Sequence, residues 1–159
     1  MNTHPIRAVF DCVVFLQGAG RRQGPCRRCL ELVDQDRVGL YLSPLVLEEI
    51  ADVLTRPVLL QKFPCFRLED TDLLMQSLSA KATVCPNVPH IFSLPRDPDD
   101  EPYIDLAIVA DAEFLVSWND RHLAYLMRRD TGEELCRRYP LKIVSPPGFL
   151  AAVKLAQIP

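Results

Sequence analysis

Short apolar runs alternate along the chain with stretches that repeat at helical spacing. Residues 8–10 form a first apolar strand, and residues 13–15 carry its exit. The segment 17–24 is rich in glycine and arginine and reads as a loop. Pro25 then stands where the first turn of a helix accepts proline, with Cys29, Leu30, Leu32 and Val33 as its apolar stripe. Residues 38–42 predict a second strand. Ser43-Pro44 pairs a cap with a first-turn proline and starts a helix that runs to Arg56, where Pro57 stops it. The surroundings of Phe63-Pro64 read as a loop or short helix, 69–81 as a helix and 83–85 as a short strand. Residues 94–102 are turn-rich and acidic, and Pro102 opens a helix over 103–111. A strand over 113–117, helices over 120–129 and 131–138, a strand over 142–144 and a helix over 147–157 complete the pattern.

Strands that alternate with helices imply right-handed crossovers and a sheet covered on both faces. The expected fold class is therefore α/β: a three-layer α/β/α sandwich around a central, mainly parallel sheet of four to five strands. A length of 159 residues suits a single domain over 1–159. Hydrophobic residues at 48% and charged residues at 25% are those of an ordinary globular chain. The net charge of −3 supplies no global basic field, so nucleic-acid contact would need a local patch. No apolar run approaches the roughly 20 residues of a membrane span. The first residues lack the regions of a signal peptide. No membrane contact and a cytoplasmic location are expected. Of the six cysteines only Cys26 and Cys29 are spaced like metal ligands, and no second pair completes a zinc site. They read as reduced thiols on adjacent helical turns.

In parallel sheets ligands bind at the carboxyl ends of the strands. Asp11 closes the first strand there. A carboxylate leaving a buried strand needs a partner, either a loop cap or a cation. On the helix after Ser43, at about 100° per residue, Val46, Ile50, Val53 and Leu54 define the core face. Glu49 falls on the flank of that face and can reach a cleft, whereas Glu48 and Asp52 point to solvent; a salt bridge is its plainer role. The stretch Asp97-Pro98-Asp99-Asp100-Glu101 packs four carboxylates that repel unless a helix N-terminus or a cation relieves them. Asp100 reads most simply as a cap. Glu101 precedes the helix, and Asp105 follows one turn on along the same face. Asn119 and Asp120 stand just beyond the fourth strand as site residues or as plain caps. Acidic and amide oxygens converging in this way suit a hard cation, Mg²⁺ or Mn²⁺.

At these residues the sequence resembles the PIN-domain family of compact metal-dependent nucleases. The nearest likeness is to the branch of toxins from bacterial toxin–antitoxin pairs related to VapC-type ribonucleases. Val9-Phe10-Asp11-Cys12-Val13 matches the family's first block, Ser43-Pro44 with Glu49 and residues 53–57 the second, and 96–107 the third. Residues 115–123 match the fourth block and 143–150 the closing strand and helix. Val13 stands where the family has Asn, Cys12 where it has Thr, and Asn119 where many members have Asp.

The resemblance implies a metal-dependent endoribonuclease, the toxin of such a pair, in which Asp11, Glu49 and Glu101 hold Mg²⁺ or Mn²⁺, with Asp105 in reserve. Asn119 or Asp120 would assist through water. It also implies an RNA substrate, an antitoxin partner and a homodimer. Arg21, Arg22, Arg27 and Arg28 form the densest basic cluster, and Arg96 and Arg121 stand near the acidic blocks, so these six are the candidates for RNA contact. Each has a solvated surface charge as its plainer reading. Trp118 can stack a base or pack beneath a helix. His122 reads as a surface or cap residue. The alternative function is a degenerate PIN domain that binds RNA or protein without cutting.

Overall fold

The computed structural model describes residues 4–127 and 134–156, with the backbone alone at Arg121, His122, Glu134 and Cys136. The first half of the chain runs β1 (Ile6–Phe10), α1 (Cys12–Gly20), α2 (Pro25–Asp34), β2 (Val38–Leu42), α3 (Pro44–Leu54), α4 (Pro57–Lys62), α5 (Leu68–Lys81) and β3 (Thr83–Val84). A 3₁₀ turn at Pro98–Asp100 then leads into α6 (Glu101–Val109). β4 (Phe114–Val116), α7 (Asp120–Leu123), a 3₁₀ turn at Ala124–Met127, α8 (Glu134–Arg138), β5 (Lys142–Val144) and α9 (Pro146–Ala156) follow.

The five strands form one sheet in the order β3-β2-β1-β4-β5, and every pairing is parallel. This is the α/β architecture expected from the alternating pattern, a parallel sheet flanked by helices. β1 lies in the middle, and Ala8, Val9 and Phe10 are fully buried, which is why its apolar run is continuous rather than alternating. Phe10 meets the ring of Phe15 on α1 and the edge of Phe149 on α9. α6 packs over β1, β2 and β4. The chain builds outward from β1 to β2 and β3, then returns to β4 on the other side. The order therefore reverses between β1 and β4, the place where open parallel sheets form a crevice. Phe10 pairs with Val116 in register, so Asp11 and Ser117 leave the sheet side by side.

Three expectations change. The segment 17–20 is the end of α1 and not a loop. Its glycines serve close packing: a Cβ at Gly18 would stand 2.6 Å from Leu30 Cδ1, and one at Gly20 would stand 2.7 Å from the Phe63 ring. α1 thus starts immediately after Asp11, with residues 13–15 in its first turns rather than in a strand exit. α3 ends at Leu54, and Pro57, read as a stop, also opens α4 at a position that needs no N–H. The helix expected over 120–129 is one α turn followed by a 3₁₀ turn, with 128–129 outside the described residues, as are 131–133 of the next predicted helix. Cys26 and Cys29 are free thiols buried in α2. Among the described residues no helix is long and apolar enough to cross a membrane.

Candidate active site at the carboxyl edge of the sheet

Asp11 caps α1. Its Oδ1 accepts from Val14 N at 3.1 Å, and Ser117 Oγ donates to its Oδ2 in a short hydrogen bond. Its own N–H donates to Val116 O at 3.0 Å, which extends the β1–β4 ladder by one step. The carboxyl is 8% exposed. Burial pushes it up to about 6, against the hydrogen bonds from Ser117 and Val14, and the negative charge of Asp100 pushes the same way. Burial likewise lifts the Cys12 thiol to about 12, with Glu49 and Asp11 adding to the shift. That thiol is a neutral wall of the site.

Glu49 sits exposed on α3, on the flank where helical spacing placed it. Its Oε2 accepts from Tyr103 Oη at 2.5 Å. Tyr103, 3% exposed on α6, is held neutral by burial and by this bond. Asp100 closes the 3₁₀ turn before α6. Asn119 Nδ2 donates to its Oδ2 at 2.8 Å, and Asn119 N donates to Ser117 Oγ at 2.9 Å. Burial raises the Asp100 carboxyl, and the charges of Asp97, Asp99 and Glu49 raise it further. One chain of contacts therefore runs from Asp11 through Ser117 and Asn119 to Asp100, and Glu49 joins it through charge.

Glu101 and Asp105 are engaged elsewhere. Glu101 Oε1 accepts from Leu94 N at 2.6 Å. Asp105 Oδ1 accepts from Ile91 N at 3.0 Å and Phe92 N at 2.8 Å. His90 Nδ1 lies 3.1 Å from Asp105 Oδ2, and its Nε2 lies 3.8 Å from Glu101 Oε2. With Ser43, Pro44 and Val88, among others, these residues line a separate cleft of about 370 Å³. The reason is helical geometry: Asp100 and Glu101 are one residue apart and diverge by about 100°, while Glu101 and Asp105 share a face four residues apart. The structure thus groups Asp11, Glu49, Asp100 and Asn119, and commits Glu101 and Asp105 to the strap at 90–94. Asp120 starts α7, half-buried.

The arginines divide as well. Arg21, Arg22 and Arg27 line a shallow cleft of about 470 Å³ with Pro64 and Cys65. Arg27 and Arg28 both pair with Glu31. Arg96 lies over the Tyr125 ring, 4.7 Å from its centroid. The side chains of Arg121 and His122 lie outside those described.

Sequence reasoning passed over Ser117, Tyr103 and Asp100. For Ser117 the signal was present, since it follows β4 at the level where Asp11 follows β1. Tyr103 carries no such signal, because only the packing of α6 brings it to Glu49.

The donors are hard oxygens whose mutual repulsion a divalent cation relieves, and this chemistry fits Mg²⁺ or Mn²⁺. Among the described residues no three His, Cys, Asp or Glu side chains are gathered closely enough to hold an ion as they stand. A parallel sheet with carboxylates at its central carboxyl edge places them where open sheets of this kind bind ligands. A family model of the PIN domain matches residues 7–121, and the chain belongs to the PIN-domain family. The fold is accordingly that of a nuclease. No curated protein and no solved structure matches the chain.

Proposed function

We propose that this protein is a metal-dependent endoribonuclease, with Asp11, Glu49 and Asp100 as the acids that would hold Mg²⁺ or Mn²⁺. The observation that carries this reading is Asp11. It is a buried carboxylate at the sheet's reversal point, raised to about 6 by burial above all, with the charge of a second acid, Asp100, adding to the shift. A site built this way is short of positive charge. When bound, the ion supplies that charge, activates water and steadies the phosphate in flight.

The chain's own groups hold the acids in place. Ser117 fixes one oxygen of Asp11 and leaves the other on the α1 N-terminus. Tyr103 orients Glu49. Asn119 bridges Ser117 and Asp100, so the amide that replaces a family carboxylate acts as a tether. The arginine cleft of Arg21, Arg22 and Arg27 supplies phosphate contacts beside α1. The likeness of the first four sequence blocks to toxins of toxin–antitoxin pairs supports a toxin role with an antitoxin partner and a homodimer.

The test is cleavage of single-stranded RNA with Mg²⁺ or Mn²⁺ by the wild type and by Asp11→Asn. Cutting that the substitution abolishes and excess chelator stops supports the reading; equal cutting by Asp11→Asn, or cutting in chelator, overturns it. A second reading, a PIN domain that binds RNA or protein without cutting, draws on the separation of the acids. Absence of cutting together with no uptake of millimolar Mn²⁺ decides for it.

A further inference from the structure

We propose that Trp118 is a stacking platform for an unpaired base of single-stranded RNA, set at the rim of the acidic site. The inference rests on the nuclease reading for its substrate class. Trp118 is 40% exposed, so part of its ring is open to solvent. It is nevertheless fixed: Nε1 donates to Gln17 Oε1 at 3.0 Å, and the same oxygen lies 3.6 Å from Cys26 Sγ. A partly exposed aromatic ring held by its one polar atom has little rotamer freedom left to lose. That is the arrangement that lowers the cost of stacking.

Position supplies the second argument. The residue before Trp118 is Ser117, bonded to Asp11, and the residue after it is Asn119, bonded to Asp100. The ring is thus anchored within one residue of both acid tethers. Its acceptor, Gln17, lies on α1, the helix that Asp11 caps. One turn beyond Gln17 the helix ends at Arg21, whose N–H donates to Gln17 O at 3.1 Å. Arg21 in turn lines the arginine cleft. α1 therefore carries an acid at its start, the anchor of an aromatic ring in its middle and a phosphate-binding cleft at its end. A single strand laid along it meets cutting, stacking and charge neutralisation in order. Every base has a π face, so the platform accepts any base, but only one free of a partner strand.

Trp118 is the only tryptophan of the chain, so its fluorescence reports the contact directly. The probe is a short single-stranded RNA, with a blunt duplex of the same sequence and an RNA bearing abasic riboses as comparisons, all in excess chelator so that nothing is cut. The single strand is expected to quench the fluorescence, while the duplex and the abasic strand bind without quenching. Trp118→Ala should weaken binding, read by anisotropy of a labelled single strand, about tenfold. Trp118→Phe, which keeps a ring, should recover most of that loss, and Gln17→Leu should fall between. Binding of the single strand without quenching, equal quenching by the duplex, or Trp118→Ala binding as well as wild type would overturn the proposal. Because the assay needs no metal, quenching by a protein that never cuts leaves the platform standing and removes the nuclease reading. Cutting without quenching does the reverse.

Discussion

Two clusters of acids, drawn in part from one acidic stretch, end in opposite states. Glu101 and Asp105 accept from the backbone N–H groups of Ile91, Phe92 and Leu94, with His90 beside both. Asp100, one residue earlier, joins Asp11 and Glu49, where burial and like charges push carboxyls up. The first cluster is satisfied by donors and fastens a strap. The second also accepts from donors, but burial first and like charge after it leave Asp11 and Asp100 raised, which a proton or a cation relieves. Acidity at a given sequence position therefore says little about task; the partners decide it.

Mutations that remove one acid at a time separate the two clusters most sharply. Asp100→Asn should cost single-turnover RNA cutting about a hundredfold or more, since a proposed ligand of the ion is lost, while Glu101→Gln stays within about threefold. Loss confined to Glu101→Gln would reverse the assignment. In urea denaturation the order inverts. Asp105→Ala leaves the part-buried N–H groups of Ile91 and Phe92 without their acceptor and should destabilise by about 1–3 kcal/mol, whereas Asp100→Asn should leave stability unchanged or raise it.

The pH dependence of stability separates the clusters further. Asp11 rises from 3.8 to about 6 on folding, so between those values the folded protein binds the proton more tightly than the unfolded chain. The metal-free fold should therefore lose stability as pH climbs through that window, by an amount on the order of 2–3 kcal/mol. Asp11→Asn should flatten the curve, and added Mn²⁺ should do so in the wild type. A wild-type curve that rises over the same window would contradict the burial argument. The smallest effect concerns Tyr103→Phe. It removes the hydroxyl that orients Glu49 and leaves the ring in place, so cutting should fall about fivefold and unfolding should shift by less than about 1 kcal/mol. A larger stability loss than activity loss would make Tyr103 a core residue only.

How legible this was depended on how local each cause is. β1 and the acid that ends it were visible as an apolar run closed by Asp11, and the place of Glu49 on the flank of α3 followed from helical angle alone. α1 was hidden because glycines at 18 and 20 read as loop, while their packing reason lies in Leu30 and Phe63. Asp100 reads as a cap but makes no side-chain cap bond and meets Asn119 instead, and Glu101, at the helix start as expected, accepts from Leu94 N. The partners of the acids were not legible at all: Ser117 stands 106 residues from Asp11, and Tyr103 stands 54 residues from Glu49. Such contacts follow from strand order and helix packing, which no local pattern encodes.

The most direct measurement is calorimetric titration of Mn²⁺ into the wild type, Asp100→Asn and Glu101→Gln. Uptake by the wild type and Glu101→Gln, with uptake lost in Asp100→Asn, is the predicted result. Uptake retained by Asp100→Asn and lost in Glu101→Gln, or none in the wild type at millimolar ion, would contradict the grouping of Asp11, Glu49 and Asp100 as the metal-holding acids.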